Sequence, residues 1–354
     1  MKALITAGGK GTRLRPLTHT QNKHLLPIAN KPILHYALEK MRDAGITEVG
    51  IITNQEALDV QAAIGAGDKW GLKIRYIPQE APLGLAHCIK IAQDFIGDEP
   101  FVFYLGDNMV VGDLKRFIDE YQATDSNCHL TLSRVKDPER FGVPIIKDGK
   151  IVAIEEKPKE PKSGFAVTGI YIYDSNIFEA VDNIVPSGRG ELEISDAHQY
   201  LIDHGYTITY SEITGWWKDT GKPVDVLEAN RLILEHTAGD IQGEIDGDSF
   251  VTGNVVLEKG AKLINSIVRG PVVIGKDTVI ENSYIGPFTS IGNECIIRDS
   301  EVEFSIILHE CKILDVDVRV ENSLLGNAAR IIRAKGRPHT NRFMIGERGL
   351  IALA

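Results

Sequence analysis

Two carboxylates, four cations and one glycine-rich loop are the residues of this chain best suited to chemistry. The loop is Ala7-Gly8-Gly9-Lys10-Gly11-Thr12-Arg13-Leu14, and it follows the apolar run Lys2–Thr6. Glycines at 8, 9 and 11 let a backbone take up φ > 0 and bring its N–H groups against an anion with no Cβ in the way. The pattern is not a Walker loop, because no Gly-Lys-Ser/Thr follows at the required spacing. It is not a dinucleotide fingerprint either, because the third glycine is missing. A turn that simply leads a strand into a helix has the same composition, so the loop by itself leaves both readings open. The cations that could serve an anion are Arg13, Lys23, Lys157 and Arg189, each in a loop after a predicted strand.

Asp107 sits just past the predicted buried strand Phe101–Leu105, at the carboxyl end where open α/β sheets bind ligands. Asp219 lies in Trp216-Trp217-Lys218-Asp219-Thr220-Gly221. Both acids are also ordinary turn residues. As a pair they could hold one Mg²⁺, which takes oxygen ligands and is bound through one or two carboxylates plus substrate phosphates. Glu155-Glu156-Lys157-Pro158 reads as a solvated turn, or as a carboxylate for sugar hydroxyls beside a lysine on a phosphate. Arg189-Gly190-Glu191-Leu192-Glu193 reads as a plain capped helix start, or as an arginine forked onto a phosphate.

The elements that must position these residues fall into two grammars. From Met1 to about Thr237, short apolar runs alternate with helical periodicity, which predicts an α/β domain with a mainly parallel, mixed sheet. Ile33, Leu34, Ala37, Leu38 and Met41 fall at helical spacing, with Pro32 before them and Gly45 where a helix would stop. Strands are expected at Glu48–Thr53, Leu72–Ile77 and Phe101–Leu105, and helices at Gly84–Phe95, Asp113–Ala123, Ser175–Asn183, Glu193–His204 and Pro223–His236. Cys128–Asp174 is richer in β-type residues and reads as an antiparallel insertion. Asp240–Asp248, with its glycines and acids, reads as a connector.

Beyond the connector, aliphatic residues recur every sixth position. Ile267, Val273, Val279, Ile285, Ile291 and Ile297 form one register; Val302, Leu308, Leu314 and Val320 a second; Val251, Leu257 and Leu263 a third. A period of six predicts a parallel β-helix with one aliphatic per face pointing inward. Gly275, Gly286 and Gly292 are expected to form its corners. The domains are therefore read as 1–237, 245–325 and a tail 326–354, whose Arg330, Arg333, Lys335, Arg337, Arg342 and Arg348 cap the solenoid or pack on a partner.

Bulk properties narrow the function. With 39 Lys plus Arg against 49 Asp plus Glu, the net charge is −10, which argues against an electrostatic grip on nucleic acid. The four cysteines, Cys88, Cys128, Cys295 and Cys311, have no metal-ligand spacing and fit reduced thiols in a cytoplasmic protein. The N-terminus is too short in apolar residues for a signal peptide, and no stretch reaches the ~20 apolar residues of a membrane span.

In order along the chain, AGGKGTRLRPLT, NKHLLPIANKP, QEAPLGLAH, FYLGDN, FGV, EEKP, VTG, RGELEISD and WWKDTG resemble the motifs of the sugar-1-phosphate nucleotidyltransferases. The match is to the long form, with a Rossmann-like catalytic domain and a C-terminal left-handed β-helix. The resemblance implies that a sugar 1-phosphate attacks the α-phosphorus of a nucleoside triphosphate and pyrophosphate leaves. It implies glucose 1-phosphate and dTTP as preferred partners, with UTP as the alternative, and Mg²⁺ as the cofactor. Position by position, Gly8, Gly9, Gly11 and Thr12 would hold the nucleotide, Arg13 would neutralise the leaving pyrophosphate, and Lys23 would bridge the phosphates. Gln79 and Gly84 would read the base, and Asp107 and Asp219 would hold the metal. Gly142, Glu156 and Val167 would line the sugar, with Lys157 and Arg189 on its phosphate. One departure is Asn22, where the family pattern has Ser before the lysine. Two other readings compete: an acetyltransferase in the β-helix with His309 as base, and a non-catalytic sensor of the same fold. The open end of a β-helix also predicts a homo-oligomer.

Overall fold

The computed structural model describes residues 1–55, 58–333 and 343–352, in two compact units. The first comprises Met1–Lys10, Asn22–Leu25 and Ile33–Asp219. Its strands in chain order are β1 (Lys2–Thr6), β2 (Glu48–Thr53), β3 (Lys73–Pro78), β4 (Phe101–Leu105), β5 (Asn108–Val110), β6 (Cys128–Arg134), β7 (Gly142–Lys147), β8 (Lys150–Glu156), β9 (Phe165–Tyr173), β10 (Ile208–Glu212) and β11 (Trp217–Asp219). Seven of them form one sheet in the order β10-β6-β9-β4-β1-β2-β3. Only β9 runs antiparallel to its neighbours β4 and β6. The central strands β1 and β4 are continuous apolar runs because both faces of the sheet are covered.

Strand β1 lies between β2 and β4, so the strand order reverses there. The crevice beyond such a reversal is where open α/β sheets take ligands. Thr6 pairs with Leu105, which brings the glycine loop and Asp107 out at the same edge. Helix α1 (Ile33–Asp43) buries all five residues expected at its core face, and Gly45 ends it at φ +79°.

The antiparallel insertion is smaller than expected. Only β7 and β8 form a separate hairpin, turned at Asp148 (φ +48°) and Gly149 (φ +74°). The flanking β6 and β9 instead join the main sheet. Leu130, Leu132, Ile170 and Ile172 are buried there, and a half-exposed hairpin could not cover them.

Helix α2 (Ile194–Asp203) buries Ile194, Ala197, His198 and Leu201. His198 Nε2 lies 2.6 Å from the Tyr173 hydroxyl, and its ring packs on Tyr171. Burial lowers the His198 pKa from 6.5 to about 3, so the fold keeps the ring neutral. An unfolded chain would protonate this ring as pH falls through 6.5, and the folded chain only near 3. The stabilisation is thus complete above 6.5 and is lost on acidification through that window. His198→Phe is expected to flatten the pH dependence of unfolding free energy by about one proton there. Denaturant titrations at stepped pH read this directly, and identical slopes in both proteins would refute it.

The second unit comprises Gly11–Gln21, Leu26–Pro32 and Thr220–Ala354. Its body is a left-handed parallel β-helix of three sheets with six, six and five strands. Parallel pairs such as Val251↔Val268, Val268↔Ile285 and Ile285↔Val302 stack the inward residues. The expected register is out by one residue at several positions. Ile274, Ile280, Ile307 and Ile313 are the fully buried residues, beside the expected Val273, Val279, Leu308 and Leu314, and Val268 replaces Ile267, which is exposed. Stacked partners lie about seventeen residues apart, as in Val251↔Val268, so one face per coil is a residue short. A strict six-residue count slips there, and a one-residue slip turns a side chain outward.

The corners also differ from expectation. Gly275, Gly286 and Gly292 are absent from the left-handed region, and the corners are turned by residues such as Asn265, Asn282, Asp299 and Asn322 at φ between +45° and +47°. The glycines serve close approach between coils: a Cβ on Gly275 would sit 2.4 Å from Asn293 Oδ1. Asp240–Asp248 is not a connector, since Asp240–Ile241 and Glu244–Ile245 already pair with the next coil.

Helix α3 (Pro223–Leu234) packs within this unit through Asn230. Its Oδ1 accepts from Ala29 N–H at 2.8 Å and Ser290 O–H at 2.7 Å, and its Nδ2 donates to Phe288 O at 3.1 Å. Of the tail, Lys335, Arg337 and Arg342 lie outside the described residues. No described helix is long and apolar enough to cross a membrane.

Candidate active site

The first unit carries most of the residues expected at a site from the sequence. Ala7 N–H donates to Ile52 O at 2.7 Å, and Gly106 N–H donates to Thr6 O at 3.1 Å, fixing the two loops beyond β1 and β4. Gly8 and Gly9 are not in the left-handed region, contrary to the expectation from sequence; only Gly11 is, at φ +59°. Their value is close approach. A Cβ on Gly9 would lie 2.8 Å from Lys23 Cε, and one on Gly8 would lie 3.1 Å from Asn54 N. The Lys23 ammonium donates to the Asp107 carboxylate. Burial alone would push that carboxyl up, but Lys23 outweighs it and holds Asp107 down at about 2. Asp107 is therefore an anion at any working pH. Burial and the neighbouring Lys23 together drive His24 down to about 3, so its ring is neutral.

Asn22, the departure from the family pattern, has a structural role. Its Nδ2 donates to Ala7 O at 2.9 Å and its Oδ1 accepts from His24 N–H at 2.9 Å, which ties the segment before Lys23 to the glycine loop.

Strands β5 and β11 pair so that Asp219 faces Asn108, one residue from Asp107. The two acids, 112 positions apart in sequence, thus come to one edge. Asn108 is held on several sides. Trp217 Nε1 donates to its Oδ1 at 3.1 Å, and Tyr104 O–H donates to its carbonyl at 2.9 Å. A Cβ on Gly169 (φ +80°) would lie 2.4 Å from its Nδ2.

The hairpin supplies a second cluster. Glu156 pairs with Gly142 across β7 and β8. Its Oε2 accepts from Ser195 Oγ at 2.6 Å, its Oε1 from Lys157 Nζ at 2.7 Å, and Arg189 Nη2 lies 3.6 Å away. Arg189 also forks onto Glu193 at 2.8 and 3.1 Å. Lys157, Glu156, Arg189 and Gly142 therefore do converge. Val167 is buried in the core beside the irregularity in β9, so only its backbone is suited to facing a ligand.

Gln79 follows β3, with its N–H on Thr53 O at 2.7 Å and its Nε2 donating to Gly84 O at 3.2 Å. Gly84 has φ +100°, and a Cβ there would be 2.3 Å from Leu192 O. Leu192 N–H in turn donates to Leu83 O at 2.7 Å, so the loop that carries Gln79 is clipped to the loop that carries Arg189. Gly84→Ala breaks this clip. The expected loss is about 1–3 kcal/mol of stability from forbidden φ and the clash, measured as a lower denaturation midpoint at unchanged m-value. An unchanged midpoint would show that the loop can shift freely.

In the second unit, Thr12–Leu14 forms a short 3₁₀ turn. It is set by Leu14 N–H on Gly11 O at 2.9 Å and Thr18 Oγ on Gly11 O at 2.7 Å. Leu14 is buried while Thr12 and Arg13 are exposed. His309 in the β-helix is committed differently from a free base: its Nδ1 accepts from Asn293 N–H at 3.0 Å.

Residues 2–236 match the family model described as nucleotidyl transferase. The chain belongs to the nucleotidyl transferase family. This nucleotidyltransferase is 50% identical over 348 residues to the glucose-1-phosphate thymidylyltransferase of Streptomyces griseus, covering 98% of each chain. It is 46% identical over 355 residues to the protein of the same name from Streptomyces antibioticus, covering 100% of this chain and 99% of that one. Among solved structures, a UDP-glucose pyrophosphorylase complexed with UDP-glucose is similar at TM-score 0.60 and 26% identity, over 66% of this chain and 98% of that one. Sequence reasoning missed the contacts by which Asn22, His24, Asn108, Glu193 and Ser195 hold the candidate residues and their loops. The signal was present, since Asn22, His24 and Asn108 each adjoin a chosen residue inside a quoted motif, and Glu193 and Ser195 share the motif RGELEISD with Arg189.

Proposed function

We propose that this enzyme joins glucose 1-phosphate to dTTP, giving dTDP-glucose and pyrophosphate. The observation that carries the reading is the meeting of Asp107 and Asp219 through paired β5 and β11, beside Lys23. The full-length similarity to two glucose-1-phosphate thymidylyltransferases supports the substrate pair. A phosphate oxygen of the sugar 1-phosphate attacks the α-phosphorus; the bond from that phosphorus to the bridging oxygen breaks, and pyrophosphate leaves. The nucleophile is already an anion, so no general base is required. Catalysis becomes alignment plus stabilisation of charge.

Each residue then has a part. Gly8, Gly9, Gly11 and Thr12 bring backbone against the triphosphate, Arg13 faces the leaving pyrophosphate and Lys23 spans the reacting phosphates. Gln79 and Gly84 face the base. Glu156 accepts from sugar hydroxyls, with Gly142 and the backbone of Val167 beside it, while Lys157 and Arg189 take the sugar's phosphate. The ionised Asp107 and Asp219 are hard oxygen donors suited to a divalent cation, Mg²⁺ in this reading, which would neutralise charge on the triphosphate. Four free, buried cysteines suit work in the cytoplasm.

Pyrophosphate release with Mg²⁺, compared over four nucleoside triphosphates and three sugar 1-phosphates, tests the proposal. The highest rate is expected for dTTP with glucose 1-phosphate. A higher rate with UTP would make it a uridylyltransferase, and no release with any pair would end the reading.

A further inference from the structure

The hydrogen bonds around Gln79 allow its amide one orientation. Its Nε2 lies 3.2 Å from Gly84 O and 3.1 Å from His87 Nδ1. A backbone carbonyl only accepts, so the atom opposite Gly84 O is the amide nitrogen. That nitrogen only donates, so its second hydrogen meets a lone pair on His87 Nδ1, and the ring carries its proton on Nε2. Burial and the nearby Lys90 ammonium both lower the His87 pKa, which keeps that lone pair available at neutral pH. With both hydrogens engaged, the amide has only its Oε1 left to offer. Among the described residues no donor meets that oxygen.

The partners of this amide are anchored independently of it. His87 lies in the short helix Leu85–Lys90, which Gly84 caps. Leu192 N–H donates to Leu83 O at 2.7 Å and Ala86 N–H donates to Leu192 O at 3.1 Å, so the start of the helix is tied on both sides to one neighbour. Gln79 is fixed from the other direction, by its N–H on Thr53 O at 2.7 Å beyond the end of β3. The strand therefore delivers the amide and the helix start delivers its two acceptors. A flipped amide would set its oxygen against Gly84 O and the Nδ1 lone pair together, leaving acceptor facing acceptor at both contacts.

We infer that His87 is a positioning residue, which fixes the Gln79 amide with its oxygen towards the base and so makes the site select imide pyrimidines over cytosine. Thymine and uracil carry an N–H at N3, whereas cytosine has a bare lone pair there. An acceptor aimed at that position bonds the first two and repels the third. His87 acts through Gln79 and needs no contact with the nucleotide itself. The inference rests on the proposed role of Gln79 in facing the base. Because Gly84 O alone favours the same orientation, removing His87 weakens the selection without abolishing it.

Equilibrium binding of dTTP, UTP and dCTP to the full chain tests this, and it is read without turnover, so a failure of the proposed reaction would not hide the outcome. Wild type is expected to prefer dTTP and UTP to dCTP. His87→Phe keeps a ring but has no lone pair; its preference for dTTP over dCTP is expected to fall about tenfold, while the ratio of dTTP to UTP stays at the wild-type value. His87→Ala removes the ring without crowding the helix and is expected to show the same fall, which covers the case in which phenylalanine disturbs folding. His87→Asn, whose Oδ1 can stand where Nδ1 stood, is expected to restore the preference. A merely structural role would weaken all three nucleotides alike. Parallel weakening, an undiminished preference in the phenylalanine and alanine variants, or an equal fall in the asparagine variant would overturn the inference. Gln79→Leu checks the reading beneath it: a wild-type preference for dTTP over dCTP in that variant would show that Gln79 does not face the base.

Discussion

Asp107→Ala is expected to lower kcat by at least about 100-fold. The acid is one of the two that β5 and β11 bring to a single edge, and its charge is what a cation on the triphosphate would need. The pairing with Lys23 holds its pKa at about 2, so the acid limb of the pH–rate profile should not follow Asp107: turnover should persist well below the usual carboxylate range unless another group fails first. Alanine also leaves the Lys23 ammonium, only 15% exposed, without its partner. Stripping one partner from a buried pair costs up to about 3–5 kcal/mol, so part of any loss could be unfolding. Asp107→Asn separates the two effects, since it keeps volume and a hydrogen-bonding oxygen but removes the charge. Asparagine should leave the denaturation midpoint closer to wild type than alanine does while turnover remains at the alanine level. Near-normal turnover in either variant would place the metal elsewhere.

The fold was legible where a period or a punctuating residue is local. Ile33–Met41 showed its buried stripe in the sequence because 3.6-residue spacing and Gly45 need no knowledge of distant residues. The β-helix showed its period, and its phase at residues such as Leu257, Ile285, Ile291 and Ile297, but the phase slipped elsewhere because the five-residue face appears only when Val251 is seen stacked on Val268. Asp240–Asp248 looked like a linker because open-end coils carry acids and glycines, the composition of loops. The site was legible as a set of motifs, and the resemblance ordered them. What composition could not convey is the support behind each side chain. Ser195 holding Glu156, Asn22 tying the loop and Gly169 packed on Asn108 are all long-range contacts. The meeting of Asp107 with Asp219 depends on strand pairing across 111 positions, from Asn108 to Asp219, which no spacing rule encodes.

Arg13→Ala is expected to lower kcat by at least about 100-fold with a smaller change in the KM for the triphosphate. This arginine differs from Asp107 in being energetically separable from the fold. It is exposed on the Thr12–Leu14 turn, whose geometry rests on Gly11, Thr18 and the buried Leu14 instead. Among the described residues it makes no ion pair, so its removal strands no buried charge. Stability should move by less than about 0.5 kcal/mol, as for surface substitutions away from special features. Any loss of turnover then reports on chemistry alone. The split between kcat and KM follows from when the charge is needed: negative charge on the departing pyrophosphate grows as the α–β bridge breaks, so a cation facing it binds the transition state more strongly than bound substrate. Arg13→Lys should recover part of the rate, because an ammonium keeps the charge but lacks the planar fork that meets two phosphate oxygens at once. Equal activity in the alanine and lysine variants would show that charge at this position is irrelevant. A rise in KM with kcat unchanged would reassign Arg13 from the leaving group to ground-state binding of the nucleotide.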